Sequence, residues 1–366
     1  MPLRITDITL RGFRSYDQAA LADLQPLVIL TGPNAVGKTN AIEAIQLLTA
    51  LATFRHAPAA QLVAKGRAEA RLSCTATDGN RLLEVALSID ERRRYQLNGK
   101  PKRPADLKGL LPSVTFTPDD LGLVKGAQSG RRRALDALGS QVNRNYYLIR
   151  KDYEKVLRHK NHLLKDQADP ALVGALDEMV VTCGAQLTAY RAALVERLGA
   201  AMAGTYARLG AGEGLEVRFV PSWQAEDGQA QPFTRDDAKE QLARAIQQRR
   251  AEERSRGRAL VGPQADAIHF LVDGMDATQY ASQGQQRSIV LSWKLAEAAV
   301  ITELLGTEPV LLLDDVMSEL DGTRRQALVE CIGQSAQAFV TTANLDYFDA
   351  GMRAAAQVIT LPLEGC

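Results

Sequence analysis

The chain lacks any apolar run approaching the roughly 18 residues that a membrane-spanning helix needs. Its opening residues, Met1 to Leu10, hold no basic stretch followed by an apolar one, so no export signal is expected. Cysteine is scarce and scattered: Cys74, Cys183, Cys331 and Cys366 form no C-x-x-C pair. That argues against a disulfide framework and a cysteine-built zinc site, and it suits a reducing, cytoplasmic setting. Histidine is equally sparse, with four residues. His159 and His162 stand three apart without neighbouring ligand types, so all four read as ordinary surface or core residues. No internal repeat or low-complexity segment is present. What remains is a globular composition, 46% hydrophobic and 24% charged over 366 residues, enough for two or three structural units.

The net charge of +1 hides an asymmetry. From Arg131 to Lys165 there are ten Lys/Arg against three Asp/Glu, a local surplus of seven that leaves the rest of the chain at −6. A basic segment on an acidic body points to an anionic partner.

Periodicity predicts a split α/β protein. "LRITDITLRGF" (3–13) and "PLVILTG" (26–32) read as strands, the second a compact buried run ending in glycine. Ile42, Ile45, Leu48 and Leu51 then recur at helical spacing. "ARLSCTATD", "RLLEVALSID" and "RYQLNGK", with its Asn98-Gly99 turn, predict an attached antiparallel sheet. Residues 131–209 follow three- and four-residue apolar steps and predict an antiparallel helical hairpin, broken at 165–170, with each arm about 50 Å long. A strand at 215–220 and a polar helix at 234–255 follow. The last third returns to alternation: a strand from Ala267, a helix from Gln285, the apolar strand "PVLLLDD" (309–315), a helix at 323–335 and strands "AFVTTAN" and "QVITLP". The expected organisation is a head made of 1–130 and 214–366, with a helical lid or arm at 131–213.

Gly32-Pro33-Asn34-Ala35-Val36-Gly37-Lys38-Thr39, followed by Asn40, matches G-x-x-x-x-G-K-[ST] between a strand and an amphipathic helix. The glycines let backbone N–H groups converge on phosphate oxygens; Lys38 supplies a cation for the β- and γ-phosphates, and Thr39 can ligate Mg²⁺. Such a loop needs a carboxylate at the end of a neighbouring buried strand. Asp314 fits that role as a second magnesium ligand, held through water, and Asp315 would orient or deprotonate the attacking water. "SQGQQRS" (282–288) opens a helix with a hydroxyl at its N-cap, an arrangement that binds anions. A second phosphate-binding helix start is useful when it caps the γ-phosphate of a nucleotide held by another subunit. "SELD" (318–321) ends in an acid at a turn; alone it fits a plain helix cap equally well.

These motifs, in this order, resemble the ABC-type P-loop ATPases, and most closely the RecF family of DNA replication and repair proteins. The resemblance runs through "LRGFRSY", "GPNAVGKTNAIEAI", "FTPDDLGLVKGAQSGRRRALD", "NYYLIRKDYEKVLRHKNHLLK", "YASQGQQRSIVLSWKLAE" and "EPVLLLDDVMSELD". It implies an ABC-type ATPase head with an attached antiparallel sheet and a short helical arm. It also implies ATP and Mg²⁺ as ligands, and an ATP-dependent homodimer that engages gapped or junction DNA. With RecR- and RecO-type partners, such a dimer would help load the RecA recombinase. By resemblance Gly37, Lys38 and Thr39 are Walker A contacts, Asp314 is the Walker B acid and Asp315 the hydrolytic residue. Ser282, Gly284 and Gln285 form the signature loop, Asp321 closes the D-loop, and Arg14 in the "FRSY" turn would meet the adenine.

Three departures stand out. Most ABC ATPases carry Glu where Asp315 sits, and the shorter acid suits slow turnover. The usual switch histidine is missing, leaving Thr341 and Thr342. Where the family has His-Arg-Asp-Asp after Gly-Pro, this chain has Gln264-Ala265-Asp266-Ala267.

For DNA, the expected phosphate contacts are Arg131, Arg132, Arg133, Arg144, Arg150, Lys151, Lys155, Arg158 and Lys160, with Lys165 beside them. Tyr146 and Tyr147 fit either a stacking platform for an unpaired base or the apolar face of a helix. The principal rival is a nucleotide-binding subunit of a membrane transporter, which would need no DNA affinity. A small-molecule P-loop kinase leaves the Ser282 helix unexplained.

Overall fold

The protein is described by a computed structural model covering residues 2–209, 212–224 and 232–362. It separates into two compact units: one comprises the segments up to Asp120 and from Trp293 onward, the other Leu121–Ser292.

The first unit contains two sheets. Five parallel strands run in the order Gln357–Thr360, Leu27–Thr31, Ala338–Thr342, Val310–Asp314, Ser113–Phe116. The three central strands are almost continuously buried, as expected of parallel strands covered on both faces. Six antiparallel strands form the other sheet, in the order Tyr16–Leu21, Arg4–Phe13, Ala70–Thr77, Leu82–Ile89, Arg93–Leu97, Lys100–Lys102. Ala70–Thr77 alternates buried and open positions residue by residue, so only one face meets the core. Helix Lys38–Thr49 joins the two sheets: Ile42, Ile45 and Leu48 share one core with Ile8 and Leu10 of the antiparallel sheet and Val28, Leu312 and Phe339 of the parallel one. Within this unit, strands Tyr16–Leu21 and Ser113–Phe116 are not marked by the sequence pattern.

The second unit is built on helix Pro170–Leu209, 40 residues long. Helices Arg144–Lys165 and Arg235–Arg256 and strand Leu215–Val220 pack on it. That strand pairs with Ala267–Val272 in a small antiparallel sheet. The expected first arm is not one helix. It breaks between Gln128–Val142 and Arg144–Lys165. Asn143 causes the break: its side chain accepts hydrogen bonds from the backbone N–H groups of Asn145 (2.8 Å) and Tyr146 (3.1 Å), capping a new helix start. Gly139 then lets the Tyr146 ring approach so closely that a Cβ there would lie 2.5 Å from it. Helix Gln283–Leu305 contributes its first residues to this unit and the remainder to the other.

Candidate functional site

The phosphate loop sits between strand Leu27–Thr31 and helix Lys38–Thr49. Gly32 (φ 147°), Ala35 (φ 65°) and Gly37 (φ 111°) take positive φ, which winds the backbone into an open turn. At Gly32 the absence of a side chain is required: a Cβ would fall 2.6 Å from the Leu361 carbonyl. Tyr16 fixes the end of the loop by donating its hydroxyl to the Gly37 carbonyl at 3.1 Å. Lys38 is only 9% exposed, and its ammonium donates to the Gly32 (2.6 Å) and Pro33 (2.9 Å) carbonyls. A buried cation held by neutral carbonyls is a site for an anion.

The acid strand meets this loop through hydroxyls. Thr39 Oγ1 donates to Asp314 Oδ1 at 3.0 Å, and Thr341 Oγ1 donates to the same oxygen at 2.9 Å. Burial raises the Asp314 pKa, opposed by those two hydrogen bonds and by the charge on Arg55. A buried carboxylate beside a threonine hydroxyl is a hard-oxygen pair that suits Mg²⁺, which takes one or two protein ligands and completes its shell with phosphate and water. Asp315 follows in left-handed backbone (φ 54°). Its N–H donates to Thr341 Oγ1 at 2.9 Å and its carbonyl accepts from Ser318 Oγ at 2.9 Å, so the main chain of Asp315 is pinned on both sides.

Beside the loop lies a charged network absent from the sequence reading. Glu43, fully buried on helix Lys38–Thr49 (the Walker helix), accepts Arg14 Nε and Nη2, both at 2.9 Å, with Arg55 at 3.6 Å and the Thr53 hydroxyl also on it. Two of the Arg14 guanidinium nitrogens are therefore spent on the Walker helix. Asn40 donates to Ser15 Oγ and accepts from Arg55 Nη1, each at 2.9 Å.

In the second unit, Ser282 caps helix Gln283–Leu305 reciprocally. Gln285 N–H donates to Ser282 Oγ at 3.2 Å, and Ser282 N–H donates to Gln285 Oε1 at 2.7 Å. Gly284 lies in this first turn. In the first unit, Asp321 caps helix Gly322–Gln334 through Arg324 N–H at 3.0 Å and pairs with the Arg324 guanidinium.

The basic segment divides by helix phase. Arg131 is 1% exposed; it donates to the Leu123 and Ile268 carbonyls, each at 2.7 Å, and stacks on Phe270. Lys160 is fully buried between Asp177 (2.8 Å) and Glu253 (2.6 Å). Both leave the set of expected DNA contacts, because neither can reach a surface phosphate without dismantling the unit. Arg132 is partly committed, donating to the Asp266 carbonyl at 2.6 Å, and Arg150 pairs with Glu154 at 2.5 Å. Arg133 is exposed, and so are Arg144, Lys151, Lys155, Arg158 and Lys165. Those last five recur at steps of seven, four, three and seven, which places them on one stripe of helix Arg144–Lys165, about 30 Å long. Tyr146 resolves as core: it is buried, and its hydroxyl donates to Asp136 at 2.5 Å. Tyr147 is half-buried, with Lys151 over its ring.

Gln264, in place of the family histidine, has a structural role. Its amide oxygen accepts the buried Tyr153 hydroxyl and its amide nitrogen donates to the Val261 carbonyl at 3.0 Å. Asp266 accepts from Thr188 and Arg191, each at 3.2 Å.

A phosphate loop facing a strand-end carboxylate, with a serine-capped helix further along the chain, defines an ABC-type P-loop ATPase head. The RecF/RecN/SMC N terminal domain family matches residues 4–360. A DNA replication and repair protein RecF from Symbiobacterium thermophilum is 39% identical over 348 residues, covering 93% of this chain and 92% of its own. Among solved structures, the recombination mediator protein RecF-ATPrS in the RecFOR pathway superposes with a TM-score of 0.88 at 27% identity, covering 95% of this chain and 94% of that one. An Smc head domain from Pyrococcus furiosus, at 14% identity and a TM-score of 0.52 over 98% of this chain and 93% of its own, shares the fold. The chain belongs to the RecF family.

Proposed function

We propose that the protein is an ATP-gated DNA clamp that acts as a recombination mediator. The observation that carries this reading is the hydrogen bond between Thr39 and Asp314, which places a hydroxyl and a buried carboxylate side by side beneath a lysine held by carbonyls. The β- and γ-phosphates of ATP would replace the Gly32 and Pro33 carbonyls on Lys38. Thr39 and Asp314 would hold Mg²⁺, which neutralises charge on the phosphates. Asp315 would accept the proton of the water that attacks the γ-phosphorus as the bond to ADP breaks.

Two protomers would sandwich two nucleotides, each on the Walker loop of one copy and the Ser282 helix of the other. The arm, residues 131–213, would serve as the lid, its exposed stripe meeting DNA phosphates by charge. The clamp would seat on gapped or junction DNA and, with RecR- and RecO-type partners, assist RecA loading; hydrolysis would release it.

The test is binding to a labelled gapped duplex, followed by anisotropy with and without Mg-ATP across a salt series. The expected result is binding that tightens with Mg-ATP and weakens steeply with salt. Binding indifferent to ATP would separate the ATPase from the arm and defeat the clamp. Within the same assay, Lys38→Met loses ATP-dependent dimers, while Asp315→Asn keeps them and stalls hydrolysis. A dimer of undiminished stability in Ser282→Arg would defeat the sandwich.

A further inference from the structure

A carboxylate that no motif marks connects the end of the long arm helix to the serine-capped helix start. The last turns of helix Pro170–Leu209 carry Tyr206, whose ring is fully buried. Its hydroxyl donates to Glu213 Oε2 at 3.1 Å. The other oxygen, Glu213 Oε1, accepts the side-chain amide of Gln285 at 2.9 Å. Gln285 is the residue whose amide oxygen receives Ser282 N–H and whose own N–H is received by Ser282 Oγ. Both ends of the Gln285 side chain are thus fixed, one on the serine cap and one on Glu213. The main chain beside Glu213 is anchored as well: Gly214 N–H donates to Asp273 Oδ1 at 2.8 Å and Asp273 N–H to the Gly214 carbonyl at 3.0 Å.

We infer that Glu213 is a positioning residue that couples the arm to the Ser282 loop, so that DNA held on the arm changes how well that loop receives a γ-phosphate. The inference rests on the clamp reading above. Three features support it. The Ser282 hydroxyl spends a lone pair on Gln285 N–H, which leaves its proton available for an anion. Gln285 sets the direction of that hydroxyl, and Glu213 sets Gln285. The Glu213 carboxylate is hydrogen-bonded once to each side, so a displacement of Tyr206 is passed on to Gln285. A carboxylate acceptor also makes both bonds stronger than a neutral residue would.

Linkage requires that DNA favouring the closed dimer also raise ATP affinity. The measurement is therefore the apparent ATP affinity for dimer assembly, with and without gapped duplex DNA, by light scattering. In wild type the ratio of the two affinities gives the coupling. Glu213→Ala is expected to reduce that coupling by at least about fivefold, the lower end of ordinary allosteric effects. It should leave nucleotide binding to the isolated protomer unchanged. Tyr206→Phe, which keeps the buried ring and removes only the hydroxyl, should reduce coupling in the same direction. Glu213→Gln, which keeps one acceptor oxygen, should fall between wild type and Ala. Full coupling retained in both Glu213→Ala and Tyr206→Phe would overturn the inference while leaving the clamp intact. A wild type whose assembly ignores DNA would overturn the clamp reading and the inference with it.

Discussion

Lys38 and Lys160 are both buried lysines, and the sequence marks both as anion-binding. Lys160 sits between two carboxylates, Asp177 and Glu253, so its charge is neutralised within the fold. Lys38 instead faces the Gly32 and Pro33 carbonyls, so its charge is solvated by dipoles and left for a ligand to neutralise. The difference is one of phase and context rather than residue type. Lys38 is fixed by eight contiguous residues whose backbone conformation leaves it one place to go. Lys160 belongs to a count of ten cations, and a count cannot tell the open face of a helix from the buried one.

The largest expected effects break this comparison directly. Lys160→Met leaves Glu253 buried without its cation and Asp177 with Arg250 alone, and should cost about 3–5 kcal/mol of stability in urea unfolding. Lys38→Met removes a charge held by carbonyl dipoles alone among the described residues, and should change nucleotide-free stability by no more than about 1 kcal/mol. It should instead abolish stabilisation by ATP, which at a hundredfold excess over Kd amounts to about 2.7 kcal/mol in wild type. Should Lys160→Met prove neutral while losing DNA affinity, the division of the arm by helix phase fails.

The second test concerns the exposed stripe. Replacing Arg144, Lys151, Lys155 and Arg158 together by Ala should lower the slope of log affinity against log salt by about 0.9 for each duplex phosphate that is no longer neutralised. Thermal stability should change little, because these side chains are exposed. Arg131→Ala should do the opposite, unfolding the second unit at lower temperature. Its guanidinium holds the Leu123 and Ile268 carbonyls, which would be left buried and unbonded.

What the sequence made legible follows the same division. The Walker loop, the acid strand and the Ser282 cap are each contiguous, and each functional group belongs to a short segment with its own backbone logic. Lys160 was in principle readable: it continues the buried series Tyr146, Tyr153, Val156 at a step of four. The break at Asn143 hides because a polar cap interrupts an apolar rhythm for a single residue. Strand Ser113–Phe116 is four residues long and buried throughout, so it shows no alternation. The contact of Thr341 with Asp314 and the role of Glu213 were out of reach. Thr341 meets Asp314 only because two parallel strands pair in that register, and Glu213 meets Tyr206 and Gln285 through contacts that no local pattern encodes.

Thr341 offers a finer test, since it lies near the strand end that lacks the usual switch histidine. Thr341→Val keeps the shape and removes the hydroxyl that donates to Asp314 and accepts from Asp315 N–H. Leaving these groups short of a partner should cost about 1–3 kcal/mol in nucleotide-free unfolding. Hydrolysis should slow as well, because the Asp315 main chain loses one of its two anchors. Unchanged turnover alongside that loss of stability would make Thr341 a purely structural residue.

The smallest effect carries a sign that separates a site built for a cation from one built for stability. Burial raises the folded-state pKa of Asp314 above its unfolded value. Protons therefore bind more tightly to the folded protein, and the contribution of Asp314 to stability is lost as pH rises through the folded pKa. At neutral pH the ionised carboxylate thus weakens the nucleotide-free fold. Asp314→Asn retains an oxygen for Thr39 and Thr341 and removes the charge, so its nucleotide-free melting temperature at pH 7 should lie slightly above wild type. That advantage should shrink as pH falls into the carboxylate range, where the wild-type side chain is itself neutral. The same variant should lose the extra stabilisation that Mg²⁺ adds to ATP. A variant less stable than wild type at pH 7, yet still responsive to Mg²⁺, would show that Asp314 serves the fold rather than the metal, and would place it with Lys160 instead of Lys38.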